Sequence, residues 1–110
     1  MKVNIIGLGY VGLTLALILA DTGFQVIGIE KDKKKIQSLR VGKSPLYEPE
    51  IDQFLESALN SKKITFDEKI IPDNDEQIYI ICVGTPINNQ THKPILENLE
   101  NVTTEIGKNL

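Results

Sequence analysis

Apolar residues along the chain form short blocks, some with the period of a strand and others with the period of a helix. The blocks predicted as strands are Val3–Ile6, Gln25–Ile29, Ile64–Phe66 and Ile78–Val83. The blocks predicted as helices are Tyr10–Thr22, Asp32–Val41, about Glu50–Leu59 and about Ile95–Asn109. Because strands alternate with helices, the pattern predicts an α/β fold with a doubly wound parallel sheet and right-handed crossovers.

Glycine and proline mark several ends of these predicted elements. Gly23 and Gly42 follow the first and second helix, and Pro49 opens the third. The fourth predicted strand is apolar without interruption. That pattern predicts a strand with both faces covered.

Three glycines interrupt the most apolar stretch, VNIIGLGYVGLTLALILADTG, although glycine inside an element costs roughly 0.5–1 kcal/mol relative to alanine. Gly7, Gly9 and Gly12 have the spacing G-x-G-x-x-G between a predicted strand and a predicted helix. In that context the first glycine allows a tight turn, the second lets backbone N–H groups approach a diphosphate, and the third lets the helix pack closely. The positive end of the helix that begins near Tyr10 then faces the phosphates. The motif predicts a Rossmann-type dinucleotide site; the alternative is that the glycines serve packing alone.

The same motif predicts an acidic residue about 20 positions further on, at the end of the second strand. Glu30 lies there, 18 residues after Gly12. A carboxylate accepts hydrogen bonds from both ribose hydroxyls and repels a 2′-phosphate, so Glu30 favours NAD over NADP. The lysines at positions 31 and 33–35 oppose that preference, and apart from Lys35 they are interpreted as a solvated helix face.

The turn after the fourth predicted strand belongs to the same predicted site. In a truncated sheet of about four strands with the order 3-2-1-4, the first and fourth strands are neighbours, and ligands bind at their carboxyl ends. The sequence there is VGTP, in which Val83 ends the strand. Gly84 permits a close approach, Thr85 supplies a hydroxyl group and Pro86 fixes the direction of the loop. We therefore expect this turn and the glycine turn to line one cleft.

Composition narrows the class of protein. The chain has 110 residues, enough for one small domain, and its 41% hydrophobic and 25% charged residues are typical of soluble globular proteins. Its net charge of −3 gives no basic field for nucleic acid or an anionic membrane. The single cysteine excludes an intrachain disulfide and fits a reducing cytoplasm. Lys2 and the uncharged run to Ala20 are similar to a signal peptide, but Asn4 and the glycines weaken that interpretation, and the run is too short and interrupted for a membrane span.

Taken together, these stretches resemble the nucleotide-sugar 6-dehydrogenases, which include UDP-glucose and UDP-N-acetylmannosamine dehydrogenases. The resemblance rests on GLGYVGL, EKDKKKI, GKSPLYEPEI and CVGTPIN, and it runs across essentially the whole chain. It implies that Tyr10 and Val11 lie beside the NAD diphosphate, that Lys35 lies against the adenosine ribose, and that Thr85 lies near the cofactor. Two positions depart from the family pattern: Glu30, where members usually have Asp, and residue 50, where many have Gly and this chain has Glu.

The resemblance also implies what these residues do not supply. Members of the family are several times longer, and they oxidise the C6 CH₂OH group of the sugar to a carboxylate in two NAD-dependent steps. They use a nucleophilic cysteine, a lysine and an aspartate in a later domain, with a Ser-Thr pair and a glutamate just beyond this segment. Residues 1–110 are therefore expected to be the N-terminal part of the NAD-binding domain, inactive alone, in a protein that forms a homo-oligomer and binds its UDP-sugar through other domains.

Several residues have a plainer interpretation, and two other functions stay open. Cys82 is interpreted as an inert core residue with a raised thiol pKa, His92 as solvent-exposed, and Tyr47 and Glu48 as shaping a loop or bordering the cleft. No cluster of residues has the spacing of a metal site. The open alternatives are an NAD-sensing regulatory module of a transport protein and the cofactor domain of a hydroxyacyl or phosphogluconate type of dehydrogenase.

Overall fold

Four parallel strands lie at the centre of the fold. The structure is a computed structural model that describes residues 1–46, 48–84, 89–91 and 96–108. Its elements are β1 Lys2–Ile6, α1 Tyr10–Thr22, β2 Gln25–Ile29, α2 Lys33–Arg40, α3 Pro49–Asn60, β3 Ile64–Asp67, β4 Gln77–Ile81 and α4 Glu97–Lys108. The strands pair in parallel in the order β3-β2-β1-β4. The predicted α/β class and strand order are confirmed.

Most element ends agree with the pattern of the sequence, and the differences have local causes. β4 ends at Ile81 instead of Val83 because β1, its partner, ends at Ile6. The N–H group of Cys82 still donates to the Ile6 carbonyl oxygen at 2.7 Å, and this is the last bond of the ladder. α1 ends as predicted before Gly23, its C-cap, whose φ of 109° lies in the left-handed region.

The helices cover the two faces of the sheet unequally. α1, α2 and α3 pack on one face, where Ile5, Leu13 and Leu55 are fully buried in the main core. α4 packs on the other face through Val102. In the described residues β4 pairs with β1 alone, and Ile78 on this strand is 41% exposed. The prediction that both faces of the fourth strand are covered is therefore wrong here: every β4 side chain is at most partly buried.

One buried polar side chain joins β1 to β4. The side chain of Asn4 is 1% exposed, and its amide donates to Gln77 Oε1 at 2.7 Å and to the Ile78 carbonyl oxygen at 3.3 Å. A buried amide without such partners destabilises a fold. Asn4 therefore favours this strand pairing, which brings the ends of β1 and β4 together.

α2 begins at an aspartate that caps it. Asp32 Oδ1 accepts hydrogen bonds from the N–H groups of Lys34 at 2.9 Å and Lys35 at 3.4 Å. A negative cap also interacts favourably with the positive end of the helix dipole. The cap places Lys35 in the first turn of α2, close to the carboxyl end of β2.

We expect Asp32→Ala to lower the free energy of unfolding by about 1 kcal/mol, because two N–H groups lose their acceptor. Asp32→Asn is the matched control, since asparagine caps a helix about as well as aspartate. Urea denaturation of the three proteins, followed by circular dichroism, measures the difference. Equal losses in both variants would contradict the capping role.

Candidate cofactor-binding site

The chain turns sharply between β1 and α1, at the carboxyl edge of the sheet. Gly7 has a φ of +94°, in the left-handed region that favours glycine. Its N–H group donates to the Ile29 carbonyl oxygen at 2.8 Å. A Cβ atom on Gly7 would lie 2.8 Å from the carbonyl oxygen of Cys82 and 2.9 Å from the backbone nitrogen of Val83. Both the backbone angle and the chain leaving β4 therefore require glycine here.

Gly12 lies behind this turn, in the first turn of α1. A Cβ atom at this position would lie 1.8 Å from the Gly7 carbonyl oxygen and 3.2 Å from Cys82 Cβ. The helix can approach the turn this closely only without a side chain. This geometry shows the close packing of helix against strand that the glycine spacing predicts for Gly12.

Gly9 differs from Gly7 and Gly12 because it has open space where a side chain would lie. It is the N-cap of α1, with φ −73° and ψ −162°, and a Cβ atom there would have no heavy atom within 4 Å. Its carbonyl oxygen accepts from the Leu13 N–H group at 2.9 Å, which closes the first turn. The first N–H groups of a helix have no partner within the helix, and α1 has neither a side-chain cap nor an acidic residue in its first turn. Open space therefore lies beside an uncapped, positive helix end.

A cleft of about 410 Å³ opens along this edge of the sheet. The predicted cofactor-binding residues that line it are Gly7, Gly9, Tyr10, Val11, Glu30, Lys35, Val83 and Gly84. The side chains of Tyr10 and Val11 are 59% and 69% exposed, so the first turn of α1 presents its backbone and these two side chains at the surface. Thr85 and Pro86 lie outside the described residues, as do Tyr47 and His92. The glycine turn and the exit of β4 thus meet in one cleft, as expected.

The carboxylate of Glu30 lies between the glycine turn and the start of α2. Its Oε1 accepts from the Leu8 N–H group at 3.2 Å, and its Oε2 accepts from the Asp32 N–H group at 3.1 Å. The backbone N–H group of Glu30 donates to the Asp67 carbonyl oxygen at 3.0 Å. These bonds fix the carboxylate in the cleft, and its two oxygens have about four acceptor positions in total. Room remains for hydrogen bonds from two hydroxyl groups.

Other residues line the cleft without having been predicted as cofactor-binding. They are Ile6, Leu8, Ile29, Lys31, Glu68, Cys82, Val102 and Glu105. Glu68 follows β3, whose carboxyl end lies at the same sheet edge. The predicted strand order could therefore have placed Glu68 among the residues that line the cleft. The position of Glu105 depends on which face of α4 packs on the sheet, and the sequence gives no direct signal for that.

Cys82 lies in the cleft wall, immediately after β4. Burial raises the pKa of its thiol. A raised pKa lowers the fraction of thiolate at neutral pH, and the thiolate is the nucleophilic form. The predicted core position is wrong, because Cys82 follows the end of β4 and is only partly buried, but the direction of the pKa shift agrees with the prediction of an inert thiol.

Comparison with known proteins gives the family. The sequence profile described as "UDP-glucose/GDP-mannose dehydrogenase family, NAD binding domain" matches residues 1–110. The chain belongs to this family. The matched region is its NAD-binding domain, so NAD is the cofactor. The fold of this domain is of the Rossmann type that the sequence predicts.

The relatives that this chain matches are much longer than the chain itself. UDP-glucose 6-dehydrogenase of Pseudomonas aeruginosa is 37% identical over 87 residues, which are 78% of this chain and 19% of that protein. An uncharacterised protein of Methanocaldococcus jannaschii is 42% identical over 86 residues, which are 78% of this chain and 10% of that protein. The solved structure of UDP-N-acetyl-mannosamine dehydrogenase from Staphylococcus aureus matches with a TM-score of 0.90 and 26% identity, over 100% of this chain and 26% of that one. The chain thus spans about a tenth to a quarter of the length of the relatives it matches.

Two kinds of feature are absent from the described part of the chain. None of its helices has both the length and the apolar character needed to cross a membrane. Among the same residues, no three His, Cys, Asp or Glu side chains are grouped so that they could hold a metal ion.

Gly12→Ala and Gly9→Ala should affect stability very differently. We expect Gly12→Ala to lower the free energy of unfolding by more than about 3 kcal/mol, because its methyl group overlaps the Gly7 carbonyl oxygen. Gly9→Ala should change it by less than about 1 kcal/mol, because the methyl group enters open space. Urea denaturation measures both changes, and similar stabilities would contradict this account of the turn.

Proposed function

We propose that this chain holds NAD in the cleft at the carboxyl edge of the sheet, for oxidation of the C6 CH₂OH group of a UDP-sugar to a carboxylate. One observation carries the proposal: the uncapped N-terminus of α1 faces open space beside Gly9, and Glu30 lies in the same cleft. Similarity to UDP-glucose, UDP-N-acetyl-mannosamine and GDP-mannose dehydrogenases supports a nucleotide sugar as the substrate class, and the resemblance of the sequence motifs is the ground for proposing a UDP-sugar.

The diphosphate of NAD would lie against the first turn of α1. Backbone N–H groups of Gly9, Tyr10 and Val11 are the donors there, and the helix dipole adds favourable interaction with the negative charge. Gly7 and Gly12 bind nothing directly in this proposal. They let the turn, the helix and the exit of β4 lie close enough to form the floor of the site.

The adenosine ribose would lie at the end of β2. The carboxylate of Glu30 would accept its two hydroxyl hydrogen bonds while remaining bonded to the Leu8 and Asp32 N–H groups. Lys35, in the first turn of α2 and in the cleft wall, would lie against the same ribose. A 2′-phosphate would meet the negative charge of Glu30, so NAD should bind more tightly than NADP.

The nicotinamide half would follow the exit of β4. Val83 and Gly84 line the cleft on that side, and Thr85 and Pro86 follow them in the sequence. When bound, NAD supplies the acceptor for a hydride from the sugar carbon. The contribution of this chain is to bind the cofactor, orient it and exclude water from one of its faces.

The catalytic groups of the reaction belong, in this proposal, to parts of the protein outside these 110 residues. The thiol of Cys82, with its raised pKa, is not the nucleophile. We therefore expect the chain alone to bind NAD and to leave a UDP-sugar unoxidised. The complete protein would be a cytoplasmic homo-oligomer whose other domains bind the sugar nucleotide.

The two other functions considered from the sequence are less well supported. A regulatory NAD-sensing module and a hydroxyacyl or phosphogluconate type of dehydrogenase both use a glycine turn followed by an acid. The family match over residues 1–110 supports neither of them.

Calorimetric titration with NAD and NADP tests the proposal. The wild-type chain should bind NAD at least about tenfold more tightly than NADP. Glu30→Ala should weaken NAD binding by about tenfold, the value of a charge-assisted hydrogen bond, and reduce the discrimination between the two cofactors. Glu56→Ala on the exposed surface of α3 is the control and should leave both affinities unchanged. Tighter binding of NADP, or affinities indifferent to Glu30, would contradict the proposal.

A further inference from the structure

The cleft continues beyond Glu30 to the outer strand of the sheet. Its lining runs from Val83 after β4 to Glu68 after β3, and so spans the carboxyl ends of all four strands in the order β3-β2-β1-β4. Neighbouring strands lie about 4.8 Å apart. A diphosphate at the end of β1 and a ribose at the end of β2 would therefore place the attached base one strand further out, at the end of β3.

This outer part of the cleft has an apolar floor. Ile29 at the end of β2 and Val102 on α4 line the cleft and are otherwise buried in the smaller core cluster, which Ile70 also joins. A planar aromatic base can lie against such a surface and remove it from water.

Two glutamates line the same end of the cleft, one on the chain after β3 and one on α4. Glu105 follows Val102 by one turn of α4, and its Oε1 accepts from the Ile70 N–H group at 3.3 Å, which joins α4 to the chain after β3. Glu68 is half-buried directly after β3, and its N–H group donates to Asp67 Oδ1 at 3.2 Å. A carboxylate has about four acceptor positions, so the bond from the Ile70 N–H group leaves Glu105 able to accept from a ligand as well, whereas the bond given for Glu68 orders its backbone.

We propose that Glu68 and Glu105 accept hydrogen bonds from the exocyclic amino group of adenine and so determine the base specificity of the cofactor site. This inference rests on the proposed NAD-binding function of the cleft. An ionised carboxylate only accepts hydrogen bonds, and the adenine amino group donates two. Hypoxanthine carries a carbonyl oxygen at the same position, and two carboxylates would repel it.

Binding of nicotinamide hypoxanthine dinucleotide, compared with NAD, tests the inference by calorimetry on the full chain. The wild-type protein should bind NAD at least about tenfold more tightly than the hypoxanthine analogue. Glu68→Gln and Glu105→Gln should each reduce this preference several-fold, because a glutamine amide can donate to the carbonyl oxygen. Glutamine also keeps an acceptor for the Ile70 N–H group, and a thermal melt checks that each variant folds.

Glu56→Gln on exposed α3 is the matched control, and it should keep the wild-type preference. A preference for NAD that is unchanged in both cleft variants, with NAD binding intact, would overturn the inference and leave the proposed function standing. If Glu105→Gln fails to fold, Glu68→Gln alone decides by the same criterion. Failure of the wild-type chain to bind NAD would instead overturn the proposed function together with the inference.

Discussion

The backbone between β1 and α1 contacts two neighbours at distances that leave no space for a side chain. Gly12 lies against the Gly7 carbonyl oxygen, and Gly7 lies against the backbone that leaves β4. Since a Cβ atom at either position would overlap backbone atoms, the turn, the helix and the exit of β4 hold one another in place. This contact puts the N-terminus of α1 at the carboxyl edge of the sheet, and every part of the cleft is positioned relative to it.

Glu30 connects the glycine turn after β1 to the loop after β2. Its carboxylate receives N–H groups from Leu8 in the glycine turn and from Asp32 at the start of α2, so one side chain joins the two loops that border the cleft. A negative group thus lies near the positive end of α1 without capping it. The cleft has donors at the end of β1 and acceptors at the ends of β2 and β3, which matches the order of charged phosphate, ribose hydroxyls and amino-bearing base in a dinucleotide.

The sequence predicted the positions of the glycine turn and of the acidic residue after β2, because glycine spacing and strand order are local or topological signals. Gly7, Gly12 and Glu30 lie where their spacing indicates. The predicted strand order already places β4 at the edge of the sheet, but its continuous apolar composition was wrongly interpreted as coverage of both faces, since composition does not reveal how much of a strand its neighbours cover. Nor did the sequence indicate Glu105, whose place in the cleft depends on how Val102 packs α4 against the sheet. Such packing arises between elements distant in sequence.

The most direct test of the proposed diphosphate site at the first turn of α1 is the effect of NAD on the backbone amide resonances of the ¹⁵N-labelled chain. We expect the largest shift changes at Gly9, Tyr10 and Val11, because their N–H groups would gain a negatively charged acceptor. The surface pocket along α3, near Gln53 and Ser57, should be unaffected. Unchanged resonances at the start of α1, together with saturable changes along α3, would contradict the account.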